Sequence, residues 1–171
     1  MYPHPEKSSK GPVLSLSKGF TLVEALVALV ILSIALGPSL ILSSDITNVA
    51  SVIQNDLIAA NLAQEGVEVV RALRDSNWFN GVAFDTNLPD GFYRVQWNSN
   101  SLTSVSSSNP VLKIDNGLYN YDTGVDTLFQ RTIWITKLNS GELRVISNVL
   151  WHERGSRTRS INVESHLFNW K

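Results

Sequence analysis

The sequence predicts an α+β fold, a long N-terminal helix packed on a C-terminal antiparallel β-sheet. Three observations carry this. An apolar run from Phe20 to Leu42 has Glu24 as its one charge, and a helical pattern then continues to Asp75 with only Gly66 inside it. From Phe92 onward, short alternating runs are separated by Asn, Gly and Ser, the punctuation of an antiparallel sheet. At 171 residues the chain has room for one anchored domain and little more.

The elements follow in order. Residues 1–19 contain Pro3, Pro5 and Pro12 among Ser and Lys, show no periodicity, and read as a removable leader outside the fold. Residues 20–42 form the transmembrane segment: 23 helical residues reach about 34 Å, enough for a hydrocarbon core of roughly 30 Å. Gly37-Pro38 should interrupt the helix, because Pro38 has no N–H to donate and crowds the carbonyl of Ile34. Residues 43–75 extend the helix over the exported domain, and residues 76–171 are the β-rich part.

On the extended helix, Ile46, Val49, Ile53, Leu57, Ala60 and Val67 fall in one arc of roughly 80°. Ile58, Leu62, Val69 and Leu73 fall in a second arc of about 60° on nearly the opposite side. A helix apolar on two sides is covered twice. The plain reading is a helix sandwiched within its own domain; the sharper one assigns the Val67 stripe to the core of the exported domain and the Leu62 stripe to neighbouring helices.

Beyond Asp75, Trp78, Phe79 and Phe84 should tuck over the helix end. Strands are expected at Phe92 to Trp97, Val111 to Ile114 and Leu118 to Tyr121, with Asp115-Asn116-Gly117 as the hairpin turn between the last two. Asn98 to Asn109 is mostly Ser and Asn and should be a loop with nothing to pack. The last third reads as a three-stranded meander, Leu128 to Leu138, Leu143 to His152 and Thr158 to Phe168. Val145, Val149 and Trp151 share one face of it, as do Ile161, Val163 and Leu167, and these faces should meet the helix.

Net charge is -1, and the leader carries Lys7, Lys10 and Lys18 against Glu6, so the rest is mildly acidic and unsuited to bulk nucleic-acid binding. With no cysteine, disulfides, Cys-ligated zinc and thiol catalysis are excluded. Basic residues precede the apolar run while Asp45 and Asp56 follow it. That places the leader in the cytoplasm and the body across the inner membrane. A secretory signal peptide would be cut after the apolar run, but the nearest small-x-small triplet, Ala35-Leu36-Gly37, is followed by Pro38.

Lys18-Gly19-Phe20-Thr21-Leu22-Val23-Glu24, after a short basic leader and before an apolar helix, resembles the processing site of type IV prepilins and type II secretion pseudopilins. The resemblance implies cleavage after Gly19 by a prepilin peptidase that also methylates the new N-terminal Phe20. It implies assembly through the helix, with Glu24 meeting the α-amino group of Phe20 on an adjoining subunit. Thr21-x-x-Glu24 also fits a capping box, which accounts for Glu24 in an isolated helix. The run Gln64-Glu65-Gly66-Val67-Glu68-Val69-Val70-Arg71 looks, more weakly, like minor-pilin segments. The implied partners are other pilin or pseudopilin subunits, the peptidase, an inner-membrane assembly platform and membrane lipid. The implied end state is a periplasmic or extracellular filament.

Other candidates weigh less. Arg154, Arg157 and Arg159, beside His152 and Trp151, form a basic hairpin tip that would suit DNA phosphates or an acidic neighbour; a solvated turn is the plainer reading, since three Arg are a small footprint. Asp115, Asp122 and Asp126 offer oxygen ligands as weak calcium candidates, a binding that the pseudopilin resemblance also suggests, but Asp, Asn and Gly are equally ordinary turn residues. No other metal set and no cofactor motif is present, and no nucleophile or phosphate loop accompanies His152 and His166. The reading is therefore a non-enzymatic structural subunit, a minor pilin or pseudopilin. The alternatives are a filament-tip adhesin or DNA-capturing pilin, and an anchored domain that never polymerises.

Overall fold

The computed structural model describes residues 21–105, 108–153 and 157–170. Its first element is α1, Leu22–Phe79, begun by Thr21, whose carbonyl accepts from Ala25 N at 3.1 Å and whose Oγ1 accepts from Glu24 N at 3.2 Å. Both bonds mark Thr21 as the N-cap. The interruption expected at Gly37-Pro38 does not occur: the helix continues through Pro38. A proline removes one backbone donor, while Ser33 and Ser39 each add a hydroxyl bond to the carbonyl four residues back, both at 2.8 Å. The helix also runs four residues past the expected end at Asp75. Contacts divide the chain into two units, one ending at Ile46 and one starting at Thr47.

In the second unit, β1 (Gly91–Arg94), β2 (Thr103–Ser104), β6 (Gln130–Asn139), β7 (Glu142–His152) and β8 (Thr158–Phe168) form an antiparallel sheet in the order β2-β1-β6-β7-β8. β3 (Lys113–Asp115), β4 (Leu118–Asn120) and β5 (Val125–Asp126) form a small second sheet, ordered β4-β3-β5. The three strands of the meander lie where the alternation put them. β7 and β8 pair without a break from Glu142↔Phe168 to His152↔Thr158. The β3–β4 turn has Asn116 and Gly117 at φ 49° and 81°, the paired left-handed conformation that Asn-Gly adopts at least cost.

Helical residues from Ile58 onward pack on the inner face of the large sheet. Leu143, Val145, Val149 and Trp151 of β7 and Ile133 and Ile135 of β6 are fully buried there. On α1 the buried line is Ala59, Ala63, Gly66 and Val70, one helical face at spacings of four, three and four. These residues are small, so the helix can approach the sheet closely. A Cβ on Gly66 would stand 2.5 Å from Ser147 Oγ and 2.7 Å from Ile133 Cδ1.

This corrects the assignment of the two stripes. Leu62, expected to face neighbouring helices, is 3% exposed, and Val67 is buried too, because they lie on opposite margins of a single buried arc centred on the small residues. Ile46, Val49, Ile53 and Leu57, from the stripe assigned to the core, are the ones left open.

Two loop expectations also change. Within Asn98 to Asn109, Thr103 and Ser104 pair with β1, Leu102 packs on the core, and Asn109 Nδ2 donates to the Arg131 carbonyl at 2.9 Å, so the segment does pack. At the helix end Phe84 is buried and Trp78 meets the Trp170 ring edge-on at 4.6 Å, but Phe79 is 91% exposed and covers nothing. The observed architecture is α+β and consistent with a pilin-like fold.

Candidate functional site

The N-terminal segment is where sequence and structure concentrate function. Leu22–Ser43 is a 22-residue helical stretch of mean hydropathy 2.6, long and apolar enough to cross a membrane, and none of it is buried within the chain. Its large side chains, Leu22 through Leu42, are exposed on every side. A helix that is apolar all round and covered by nothing of its own needs lipid or other helices around it.

Lys18, Gly19 and Phe20 lie outside the described residues. Glu24 lies within them, at the third position of α1, where the positive end of the helix dipole favours a carboxylate. Only half of the capping box is present: Glu24 N–H reaches Thr21 Oγ1, but among the described residues the Glu24 carboxylate has no partner. It is an exposed acid in an apolar surface. Such a group can accept from an ammonium or N–H supplied from outside.

Of the three arginines of the basic hairpin tip, two lie within the described residues. Arg154 lies outside the described residues and Arg157 is exposed. Arg159 turns back to α1, donating to Asp56 Oδ2 at 2.9 Å and to Glu153 Oε1 at 3.4 Å, with its guanidinium 5.8 Å from the Trp151 ring. Already held by two acids and half-buried, Arg159 serves the join between hairpin and helix.

The three calcium candidates are also occupied or apart. Asp115 accepts from Thr123 Oγ1 at 2.7 Å and from Asn116 Nδ2 at 3.1 Å, Asp122 accepts from Gln96 Nε2 at 2.9 Å, and Asp126 sits exposed on β5. Among the described residues no group of three acids, His or Cys converges on one point.

Of the histidines, His152 Nδ1 meets Thr158 Oγ1 at 3.0 Å. His166 bridges Glu142, 2.6 Å from Nδ1, and Glu164, 3.1 Å from Nε2. The Glu142 hydrogen bond, then that of Glu164, raises the His166 pKa above its ordinary value.

The sequence reading missed the buried cation of the domain. Arg131 is fully buried on β6 and donates to the Leu62 carbonyl at 2.8 Å, to Glu65 Oε1 at 3.0 Å and to the Val95 carbonyl. An Arg in alternation with Ile133 and Ile135 on an inward face was the available signal.

Residues 14–40 match the family model described as the prokaryotic N-terminal methylation motif. The match spans the Lys18–Glu24 stretch and most of the exposed apolar helix, and it supports a type IV pilin-like prepilin. No curated protein and no solved structure matches the chain.

Proposed function

We propose that the chain is a minor pilin or pseudopilin, a structural subunit made as an inner-membrane precursor and built into a filament through its N-terminal helix. The methylation motif itself supports a type IV pilin-like filament subunit processed by prepilin peptidase. The observation that carries assembly through the helix is the juxtaposition of that motif with an apolar helix, open on all sides, whose one acid has no partner among the described residues.

In this reading the leader, residues 1–19, stays cytoplasmic and is cut after Gly19. Phe20 becomes the methylated N-terminus, residues 20–42 hold the precursor in lipid, and the domain beyond them is exported. Glu24 waits in the membrane for the Phe20 ammonium of a neighbouring subunit. An assembly platform then lifts the helix out of lipid and into a bundle of like helices. That transfer needs no new apolar burial within the chain, because helix–helix contacts replace helix–lipid contacts.

Intact-mass measurement on protein extracted from membranes of cells possessing the peptidase tests this. The expected product lacks residues 1–19 and carries one added methyl group on Phe20. A start beyond Gly37, or an unprocessed Met1 terminus, refutes the reading.

A further inference from the structure

We infer that the exported domain carries a binding site for a neutral, hydroxyl-rich ring, such as a hexose unit of a polysaccharide, in the pocket between the turn after β1 and the β3–β4 hairpin. This goes beyond the filament role and does not depend on it. The pocket has a volume of about 300 Å³ and is walled by Trp97, Leu118 and a group of amides and acids.

Trp97 is 50% exposed, and among the described residues its indole meets no other ring and no cation. The other exposed tryptophans differ: Trp134 stacks with Phe92 and lies under Arg144, and Trp170 meets Trp78. A half-open indole at the rim of a polar pocket is a surface for the C–H face of a saturated ring.

The polar wall is held in place before any ligand arrives. Gln96 Nε2 donates to Asn98 Oδ1 at 3.0 Å and to Asp122 Oδ2 at 2.9 Å, while its Oε1 accepts from Tyr121 N at 2.9 Å. Asn120 Oδ1 accepts from the backbone N–H of Asp122 and of Thr123, both at 2.8 Å. Rotamers fixed this way lose little further entropy on binding.

What the wall leaves unused selects the ligand. Among the described residues, Asn98 keeps its Nδ2 donors, while Asn116 Oδ1 and Asp122 Oδ1 remain as acceptors. A carboxylate or phosphate would use donors only and would face Asp115 and Asp122. An ammonium would use acceptors only, and Lys113 Nζ, 3.5 Å from the Asp122 carbonyl, already offsets part of the negative charge. A hydroxyl donates and accepts at once, and carboxylates accept from it in strong, charge-assisted bonds. A ring bearing several hydroxyls uses both kinds of group and the indole together, the pattern of a small-molecule site with an apolar wall and a few placed polar groups.

The test is saturation-transfer NMR on the full chain in polyoxyethylene micelles, whose head groups contain neither sugar nor ammonium. The probes are maltose, cellobiose, lactose and N,N′-diacetylchitobiose at millimolar concentration, with tetramethylammonium as the competitor class. At least one disaccharide should receive saturation, at least tenfold weaker in Trp97→Ala and in Asp122→Asn, with the thermal transition of both variants unchanged. Silence from all four disaccharides overturns the proposal. So does equal transfer in the native chain and Trp97→Ala, or transfer to tetramethylammonium alone.

Discussion

Arg131 on β6 reaches Glu65 on α1 across the helix–sheet interface, Nη1 to Oε1 at 3.0 Å, with the guanidinium fully buried and the carboxylate one-third exposed. The same guanidinium serves the carbonyls of Leu62 and Val95, so one cation ties the helix, the turn after β1 and the sheet. It sits between two apolar clusters, one around Val70, Ile135 and Val145, the other around Leu62, Phe129 and Trp151.

Removing that cation should therefore cost more than an exposed ion pair would. Arg131→Ala leaves a cavity and strips a donor from two carbonyls, which typically costs about 3 kcal/mol or more. Glu65→Gln keeps an acceptor but removes the counter-ion of a buried guanidinium that two carbonyls still serve, and should cost about 2 kcal/mol. Denaturant unfolding of the full chain in micelles measures both, and equal losses would mean that the charge of Glu65, and not the placement of Arg131, holds the interface.

Gly66 sits where the helix comes closest to the sheet. Ala is the better helix former by roughly 1 kcal/mol, but its methyl would meet Ser147 Oγ at 2.5 Å and Ile133 Cδ1 at 2.7 Å. Overpacking of this kind costs about 1 to 3 kcal/mol and should win, so Gly66→Ala lowers the melting temperature. Adding Ser147→Ala removes the nearer contact and should restore part of the loss. A more stable Gly66→Ala would show that the interface opens at no cost.

Three helix substitutions separate burial from assembly. Leu62→Asp and Val67→Asp each place an unpaired charge in the core and should both abolish the thermal transition of the unit that starts at Thr47. Leu57→Asp, on the open stripe with Val49 and Ile53, should leave the transition in place and reduce recovery in sheared filaments. A folded Leu62→Asp would restore the two-stripe assignment that the sequence suggests.

Why the sequence misassigned these faces is instructive. Leu62, Val67, Ile53 and Leu57 announce themselves by size, yet the face that meets the sheet is marked by Ala59, Ala63 and Gly66, whose value is that they are small. Periodicity of large apolar residues finds the margins of such an interface and passes over its centre. The meander was legible because alternation in Val145, Val149 and Trp151 reports burial directly, and the Asn116-Gly117 turn because its backbone demand selects those residues. The Lys18–Glu24 site was legible as a motif, which needs no tertiary contact. Arg131, the Arg159 link to Asp56 and the pocket beside Trp97 depend on which loops meet, and no local pattern encodes that.

His166 gives a pH readout on the open face of the sheet. Its pKa is raised by the Glu142 hydrogen bond and, less, by Glu164, so the protonated ring is favoured in the folded chain. The stabilisation is complete below the unfolded pKa near 6.5 and is lost as pH rises through the higher folded value. An NMR titration of the ring protons should show His166 titrating above 6.5, and Glu142→Gln should bring it down. An unchanged midpoint in that variant would mean the 2.6 Å contact is not made in solution.

Glu24 decides between capping and subunit pairing. In the isolated chain its backbone N–H, not its carboxylate, makes the bond to Thr21 Oγ1, and Glu24→Gln leaves that bond untouched. The side chain has no partner to lose among the described residues, so capping predicts a normal helix and normal assembly for Glu24→Gln. Pairing predicts a different outcome. In a filament core the methylated Phe20 terminus would be a cation removed from water, and an amide cannot neutralise it; a buried charge without its counter-ion is strongly disfavoured. Cleavage should proceed, because the bond proposed for it, Gly19–Phe20, lies four residues upstream of the change. The processed variant should therefore accumulate in the membrane while its recovery in sheared filaments falls at least tenfold. Adding Thr21→Ala to the native chain removes the cap alone and should lower recovery far less. Normal incorporation of Glu24→Gln, or an equal loss in Thr21→Ala, would leave the helix cap as the sufficient explanation of the acid.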